Sequence, residues 1–423
     1  MIENEHPYQV DGEIGRFAFT THSIFVDDCI VFDTSKNTFF QLKGKEWYRT
    51  TGFKELAIVY GSTEKSYRKS SELINRVRHQ KGATPSRTLR DNTESEGRKL
   101  SECIDAKTRK ILQEKGFSYD GVPDEVTNPL QQQSPSTLCA VQIEQAIEKC
   151  MKQSGLSCES GEIEKNPVLY EDPDQSVNVS IDDVSVKRQK EEREHTKADD
   201  TDERKYFHNT IAHVENGGRT YVLNAHGTGN CLRILLAFLI NNDLLKYRIQ
   251  FFTDGHTTLV STIQSFLSWH LNIGLILDWY HLEKKCKEQL SRAMNSRIAR
   301  NETLSGITHL LWYGLVDRAI KSLQEIDDSS IKNEQAIEKL IQYLERNRPN
   351  IPCYAARKEL CLRNSSNKGE KANDLVVSDR QKHNGMSWSK SGSLALASMG
   401  ALVRNGEHTR WFESGDVAFK FAA

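Results

Sequence analysis

The sequence predicts an α/β protein in which a mixed sheet carries helices on its faces, preceded by a mainly helical, basic region. Three observations predict it. Between residues 177 and 282, short apolar runs of strand length alternate with stretches of helical periodicity. From 282 to about 348 the pattern is helical with few breaks. Between Lys65 and Lys99, ten basic residues face four acidic ones on helical repeats closed by short turns.

In chain order, residues 1–50 alternate in places (Phe17-Ala18-Phe19, Ser23-Ile24-Phe25-Val26, Cys29-Ile30-Val31-Phe32), which predicts short strands without assignable chemistry. Phe53, Leu56, Ala57 and Tyr60 mark one helix, and Tyr67, Ser70, Leu73, Ile74 and Val77 a second. Thr84-Pro85-Ser86 reads as the start of a third, with a cap candidate and proline in the first turn. Short helices joined by tight turns with a basic surface fit a helix-turn-helix-like region over 51–123 that docks on phosphates, with Arg76, Arg78, Arg87 and Arg90 as candidate contacts. A merely solvated helical face explains the same charges equally well. Residues 124–176, with Gln131-Gln132-Gln133-Ser134-Pro135-Ser136 and Glu171-Asp172-Pro173-Asp174, read as a linker interrupted by a short helix from Val141 to Met151.

Strict alternation in Val177-Asn178-Val179-Ser180-Ile181-Asp182 predicts a strand ending in the acids Asp182-Asp183. Tyr206 to Val214 and Thr220 to Ala225 flank Glu215-Asn216-Gly217-Gly218, a hairpin pattern. A helix follows from Asn230 to Leu245. Ile249-Gln250-Phe251-Phe252 is then a buried strand with Asp254 at its C-terminal end, where open α/β sheets hold ligands. Thr257 to Trp269 is helical, Ile273 to Leu277 a second buried strand, and a polar helix begins near His281. Three antiparallel strands followed by strand–helix alternation is the order of a ribonuclease H-like fold. Its first strand lies beside its fourth, which would bring Asp182 and Asp254 together. Farther on, Lys371 to Val377 reads as a helix with Glu370 and Asp374 one turn apart, and Leu394 to Leu402 as an apolar helix.

The bulk numbers exclude some classes. Length (423 residues) suggests two or three domains; 37% hydrophobic and 27% charged content describe a soluble chain. Lys plus Arg (57) nearly equals Asp plus Glu (58), so net charge names no partner. No apolar run has the length of a membrane span, and Met1-Ile2-Glu3-Asn4-Glu5 lacks a signal peptide's pattern. Nine scattered cysteines without a CxxC pair fit reduced thiols in the cytosol rather than a zinc site.

Three carboxylates on adjacent elements suit divalent metal. Oxygen ligands bind Mg²⁺ (or Mn²⁺), and two ions roughly 3.5–4 Å apart can clamp the attacking and leaving oxygens of a phosphodiester displacement. No Ser-His-Asp or Cys-His arrangement competes. Ala225-His226-Gly227-Thr228-Gly229-Asn230 lacks the glycine-lysine pair of a phosphate loop.

Thr253-Asp254-Gly255, Leu277-Asp278-Trp279-Tyr280-His281-Leu282, Gly369-Glu370-Lys371-Ala372-Asn373 and Arg380-Gln381-Lys382-His383-Asn384-Gly385-Met386-Ser387-Trp388 together resemble bacterial insertion-sequence transposases of the DDE superfamily, on the branch related to Mutator-like elements. The resemblance covers about residues 177–412. It implies a ribonuclease H-like core over 177–282, an all-helical insertion over 283–362, and a last catalytic helix with a C-terminal basic segment over 363–423. It implies Asp182, Asp254 and Glu370 as catalytic, metal-holding acids, with Asp183 and Asp374 as the alternatives where the motif departs from the family's pattern. His281, three residues after Asp278, would shape the site or engage DNA, or simply pack. Arg380, Lys382 and Trp388 would contact phosphate and stack. The implied activity is metal-dependent cleavage at element ends and 3′-hydroxyl strand transfer, with double-stranded DNA (element ends and target) as partner, a homo-oligomer of two or more copies, and a nucleoid-associated, cytoplasmic location. The alternatives are an inactive or domesticated DNA-binding remnant and a nuclease without strand transfer.

Overall fold

The computed structural model describes residues 2–12, 15–26, 29–33, 47–79, 82, 84–124, 138–157, 161–170, 176–189, 206–382 and 386–422. The chain forms two compact units, each drawn from separated stretches. The first takes residues 1–103, 186–207 and 375–418, and the second takes 104–185, 208–374 and 419–423. The Gln131–Ser136 and Glu171–Asp174 stretches and His383 to Gly385 lie outside the described residues.

In the first unit, β1 (Ile2–Gly12), β2 (Gly15–Val26), β3 (Cys29–Asp33) and β4 (Trp47–Arg49) form a sheet of order β3-β2-β1-β4. Its centre is the antiparallel β1–β2 hairpin, and β4 runs parallel to β1. Three helices follow: α1 (Thr51–Thr63), α2 (Tyr67–Val77) and α3 (Ser86–Glu114), the last belonging to this unit only up to residue 103. Thr50 and Ser66 cap the first two, each hydroxyl accepting from an amide three residues on. Phe53, Ala57, Ile74 and Leu89 form their common core. The turn before α3 is pinned from α2, where Ser71 and Asn75 donate to the Thr84 carbonyl and the Asn75 side chain accepts the Thr84 amide.

The second unit holds α4 (Ala140–Ser154) and a five-stranded sheet of β5 (Ser176–Lys187), β6 (Tyr206–Asn216), β7 (Arg219–His226), β8 (Arg248–Thr253) and β9 (Ile273–Leu277). The order is β7-β6-β5-β8-β9. β6 and β7 are antiparallel across Gly217 and Gly218, both at positive φ, which a tight hairpin turn requires. β8 pairs in parallel with β5 on one side and β9 on the other. This mixed sheet has the ribonuclease H-like order, first strand beside fourth. All six residues of β8 are buried, the polar Arg248, Gln250 and Thr253 included, so its apolar residues Ile249, Phe251 and Phe252 show no strict alternation.

Helices α5 (Thr228–Asn241) and α6 (Thr257–Phe266) follow β7 and β8, and α7 (Trp279–Ala293) follows β9. Then come α8 (Arg297–Trp312), α9 (Val316–Gln324), α10 (Glu334–Asn347), α11 (Tyr354–Glu359) and α12 (Asn367–Asn373). The chain turns at Gly314, at positive φ, between α8 and α9. Leu282, Leu290, Leu311, Leu340 and Tyr354 from this helical part share one core with Phe252 and Ile276 of the sheet. Ile143, Ile147 and Met151 of α4 join that core, so the helix within the expected linker is an integral packing element. After α12, a π-helical turn (Asp374–Ser378) leads to α13 (Asp379–Gln381), α14 (Lys390–Arg404) and α15 (His408–Ser414). No described helix is long and apolar enough to cross a membrane.

Candidate active site

Parallel pairing places the first two acids. Ser180 of β5 is in register with Phe252 of β8, and Asp182 and Asp254 each lie two residues farther toward the C-terminal ends. Burial along β5 alternates up to Ile181 and resumes with opposite parity at Val184, so Asp182 is half-buried and Asp183 exposed. Asp182, Asp254, His281 and Glu370 line one cleft at this sheet end, closed beneath by Ser180 and Phe252. Asp183 and Asp374 are not in it. Asp183 accepts from the Thr210 hydroxyl on β6, and Asp374 is exposed at the start of the π-helical turn.

The Asp254 turn is held from two sides. The Asp254 carboxylate accepts the His256 amide at 2.8 Å. Tyr343 on α10 donates its hydroxyl to the Asp254 carbonyl at 2.9 Å, and Arg346 reaches the Gly255 carbonyl at 3.4 Å. Gly255 has φ +76°, and a Cβ there would lie 2.7 Å from Asn347 Oδ1 and 2.8 Å from Leu277. Only glycine meets both demands. The helical part thus grips the loop that presents the second acid.

Glu370 arrives by a different route. Gly369 sits directly on β5, where a Cβ would stand 2.5 Å from the Ser180 Cβ. This close approach sets the next residue, Glu370, above the sheet end. Asp278, fully buried, fixes the lead-in: one carboxylate oxygen caps α7 by accepting the His281 amide at 3.1 Å, and the other accepts the Ser366 amide. The Trp279 amide bonds the Asn364 carbonyl at 2.9 Å. Arg357, also buried, donates to the carbonyls of Leu169 and Arg363 and to Gln250 of β8; burial pushes the Arg357 pKa down to about 10. Asp278→Ala leaves the buried Ser366 amide and the half-buried His281 amide without acceptors. It is therefore expected to cost roughly 2–4 kcal/mol in a denaturant titration, whereas Asp278→Asn, which keeps one acceptor, is expected to cost less.

Within the cleft, Glu370 Oε1 lies 3.2 Å from His281 Nε2, and Asn373 donates to Asp182 Oδ2 at 3.0 Å. Burial pushes the Asp182 carboxyl above its ordinary range; the Asp254 and Asp183 charges add to this, while the Asp183 amide and His281 oppose it. Burial also raises Glu370, with the Asp278 and Asp182 charges adding and His281 and Lys284 opposing. Among the described residues no three His, Cys, Asp or Glu side chains converge closely enough to share one ion. The acids share a cleft, with Glu370 turned onto His281.

Sequence reasoning missed Asn373, although it lies one turn beyond Glu370 within the same motif. Tyr343 carried no signal at all, because only the fold brings α10 to the Asp254 turn.

The expected DNA contacts divide. Arg76, Arg87, Arg90 and Lys382 are exposed, with Arg90 paired to Asp91 at 2.7 Å. Arg78, Arg380 and Trp388 are buried, which corrects their expected role on phosphate and base. Arg78 stacks 4.3 Å over Phe53. Arg380 lies over Tyr67 (4.4 Å) and Trp388 (5.3 Å) and donates to the Lys65 carbonyl at 3.2 Å. The Trp388 indole donates to the Gln381 carbonyl, and its backbone pairs with Lys187 and Gln189. Planar guanidinium groups satisfy an aromatic interior as readily as a phosphate surface, and charge counts cannot separate the two.

No family model matches this chain, and no curated protein matches it. A search of solved structures returns the Drosophila P element transposase strand transfer complex, at 12% identity and a TM-score of 0.20, covering 83% of this chain and 89% of that one. An overlap that low fixes neither fold nor function.

Proposed function

We propose that this chain is a DDE-type DNA transposase that cuts element ends and joins their 3′-hydroxyls to target DNA. The observation that carries this reading is the shared cleft of Asp182, Asp254 and Glu370, built from β5, the end of β8 and α12. The chemistry of the donor set suits a hard divalent cation, since all three are carboxylates and burial with neighbouring acids raises Asp182 and Glu370. Joint ligation requires Glu370 to turn from His281 toward the two aspartates. Asp182, Asp254 and Glu370 would hold Mg²⁺ or Mn²⁺, which supplies an activated oxygen nucleophile and stabilises the departing oxygen. The chain's own groups do the positioning. Asn373 orients the Asp182 carboxylate, the Asp278 bridge fixes the approach of α12, and Tyr343 fixes the Asp254 backbone. His281 Nε2, 3.2 Å from Glu370 Oε1, orients the third carboxylate.

The test uses a labelled duplex taken from the DNA flanking the gene, incubated with Mg²⁺ or Mn²⁺ and with a chelator. Metal-dependent cleavage followed by joining is expected. Cleavage without joining would replace this reading with a nuclease, and retention of DNA without cleavage in either metal would replace it with an inactive binding remnant.

A further inference from the structure

A second groove opens beside the carboxylate cleft and shares Asp254 and His281 with it. Its walls come from α7, with Lys284 and Lys285, and from α10, with Tyr343 and Arg346. Lys284 and Arg346 are exposed and Lys285 half-exposed. Lys285 Nζ stands 5.7 Å from the Tyr343 ring centre, and the Arg346 guanidinium 5.8 Å from the same ring. Two cations from different helices are thus gathered at one aromatic ring, and a third lies one residue away. Among the described residues no carboxylate comes within ion-pair distance of any of the three, although Glu288 also lines the groove. The three cations outnumber the two acids that line the groove, Asp254 and Glu288, and an anion between the cations relieves their mutual repulsion. The groove is also tied to the acids: the Tyr343 hydroxyl and the Arg346 guanidinium both bond the backbone of the Asp254–Gly255 turn. An anion held here is therefore held at a fixed offset from the cleft.

We infer that this groove binds the phosphodiester backbone of DNA next to the phosphate being cut, with Lys284, Lys285 and Arg346 as the phosphate contacts. The inference rests on the proposed function and deepens it: the helical part would then position substrate as well as brace Asp254. Tyr343 is itself buried and serves to fix Lys285 and Arg346 at one place, and cations spread over two helices suit successive phosphates of a strand.

Lysine acetylation read by peptide mass spectrometry tests this on the full chain in chelator, with a duplex of about 20 base pairs at low salt. Acetylation of Lys284 and Lys285 is expected to slow several-fold when the duplex is bound, and Lys321 on α9 to label unchanged. A mononucleotide at equal phosphate concentration is expected to protect neither. In the variant Lys284→Ala/Lys285→Ala/Arg346→Ala, the slope of log affinity against log salt is expected to become shallower, by about 0.9 for each phosphate no longer neutralised. A retained duplex that leaves both lysines fully reactive would overturn the inference and leave the proposed function standing. Protection by the mononucleotide but not the duplex would overturn it in favour of a small-phosphate site. A wild-type chain that retains no duplex even at low salt would remove the proposed function and this inference together.

Discussion

Asp254→Asn is expected to reduce strand cleavage and joining by about 1,000-fold or more, the scale on which removing a group that stabilises developing charge acts. The fold should not suffer. Asparagine keeps the side-chain oxygen that accepts the His256 amide, and the turn remains held by Tyr343 through the backbone. Stability is expected to be unchanged or slightly higher, because the Asp254 charge is one of those that push Asp182 upward. The sign follows from linkage. Asp182 and Glu370 have folded-state values above their ordinary ones, so the native state binds more protons than the unfolded chain between those limits. Their contribution to stability therefore falls as pH rises from the ordinary carboxylate value through the raised one. Removing the Asp254 charge lessens the Asp182 shift and flattens that fall. Thermal melts across about pH 4–7 in chelator, paired with the cleavage assay, read both effects. A variant that loses activity only in proportion to a collapse in melting temperature would show Asp254 to be structural. Asp374→Asn, on an exposed residue outside the cleft, is the control expected to remain active; the reverse pattern, with Glu370→Gln active and Asp374→Asn dead, would move the third acid one turn along.

The legible parts of this molecule were those where local chemistry and tertiary need coincide. Ile249 to Phe252 could be read as a buried strand because burial on both faces removes any reason for alternation, and β8 is buried throughout. Gly217-Gly218 declared its hairpin because both positions take positive φ. Asp182 and Asp254 could be placed together because strand order alone dictates it. Charge was the poorer guide. Arg78 and Arg380 count toward a basic surface in any composition window, yet each is buried against aromatic rings of its own unit. Alternation on β5 concealed its parity change between Ile181 and Val184, the feature that turns Asp182 inward and leaves Asp183 outside. The α4 helix looked like an interruption in a linker because its surroundings are polar, although its own apolar face completes a core supplied from beyond residue 250. Tyr343 and Asp254 lie 89 residues apart, and their hydrogen bond has no local signature.

The closest backbone approach at the site gives the last prediction. Gly369→Ala puts a Cβ 2.5 Å from the Ser180 Cβ, where no flexible side-chain end can swing away, so α12 or β5 must shift. Overpacking of this kind typically costs about 1–3 kcal/mol. The displacement falls on the residue before Glu370, so activity is expected to drop by about 100-fold, more than the stability loss alone explains, because misplacement of a reacting group by about an ångström carries that penalty. The second variant makes the cause identifiable. Ser180→Gly removes the opposing Cβ, at a cost of about 0.5–1 kcal/mol for glycine within a strand, and by itself should leave the acids in place. Combined with Gly369→Ala it is expected to restore most of the lost activity, although a strand glycine has been added. Additive losses in the double variant would mean that the two residues do not meet, and α12 would then be positioned by the Asp278 bridge alone. Recovery of stability without activity would place the fault in Glu370 itself, since packing would be repaired while the carboxylate remained displaced from Asp182 and Asp254.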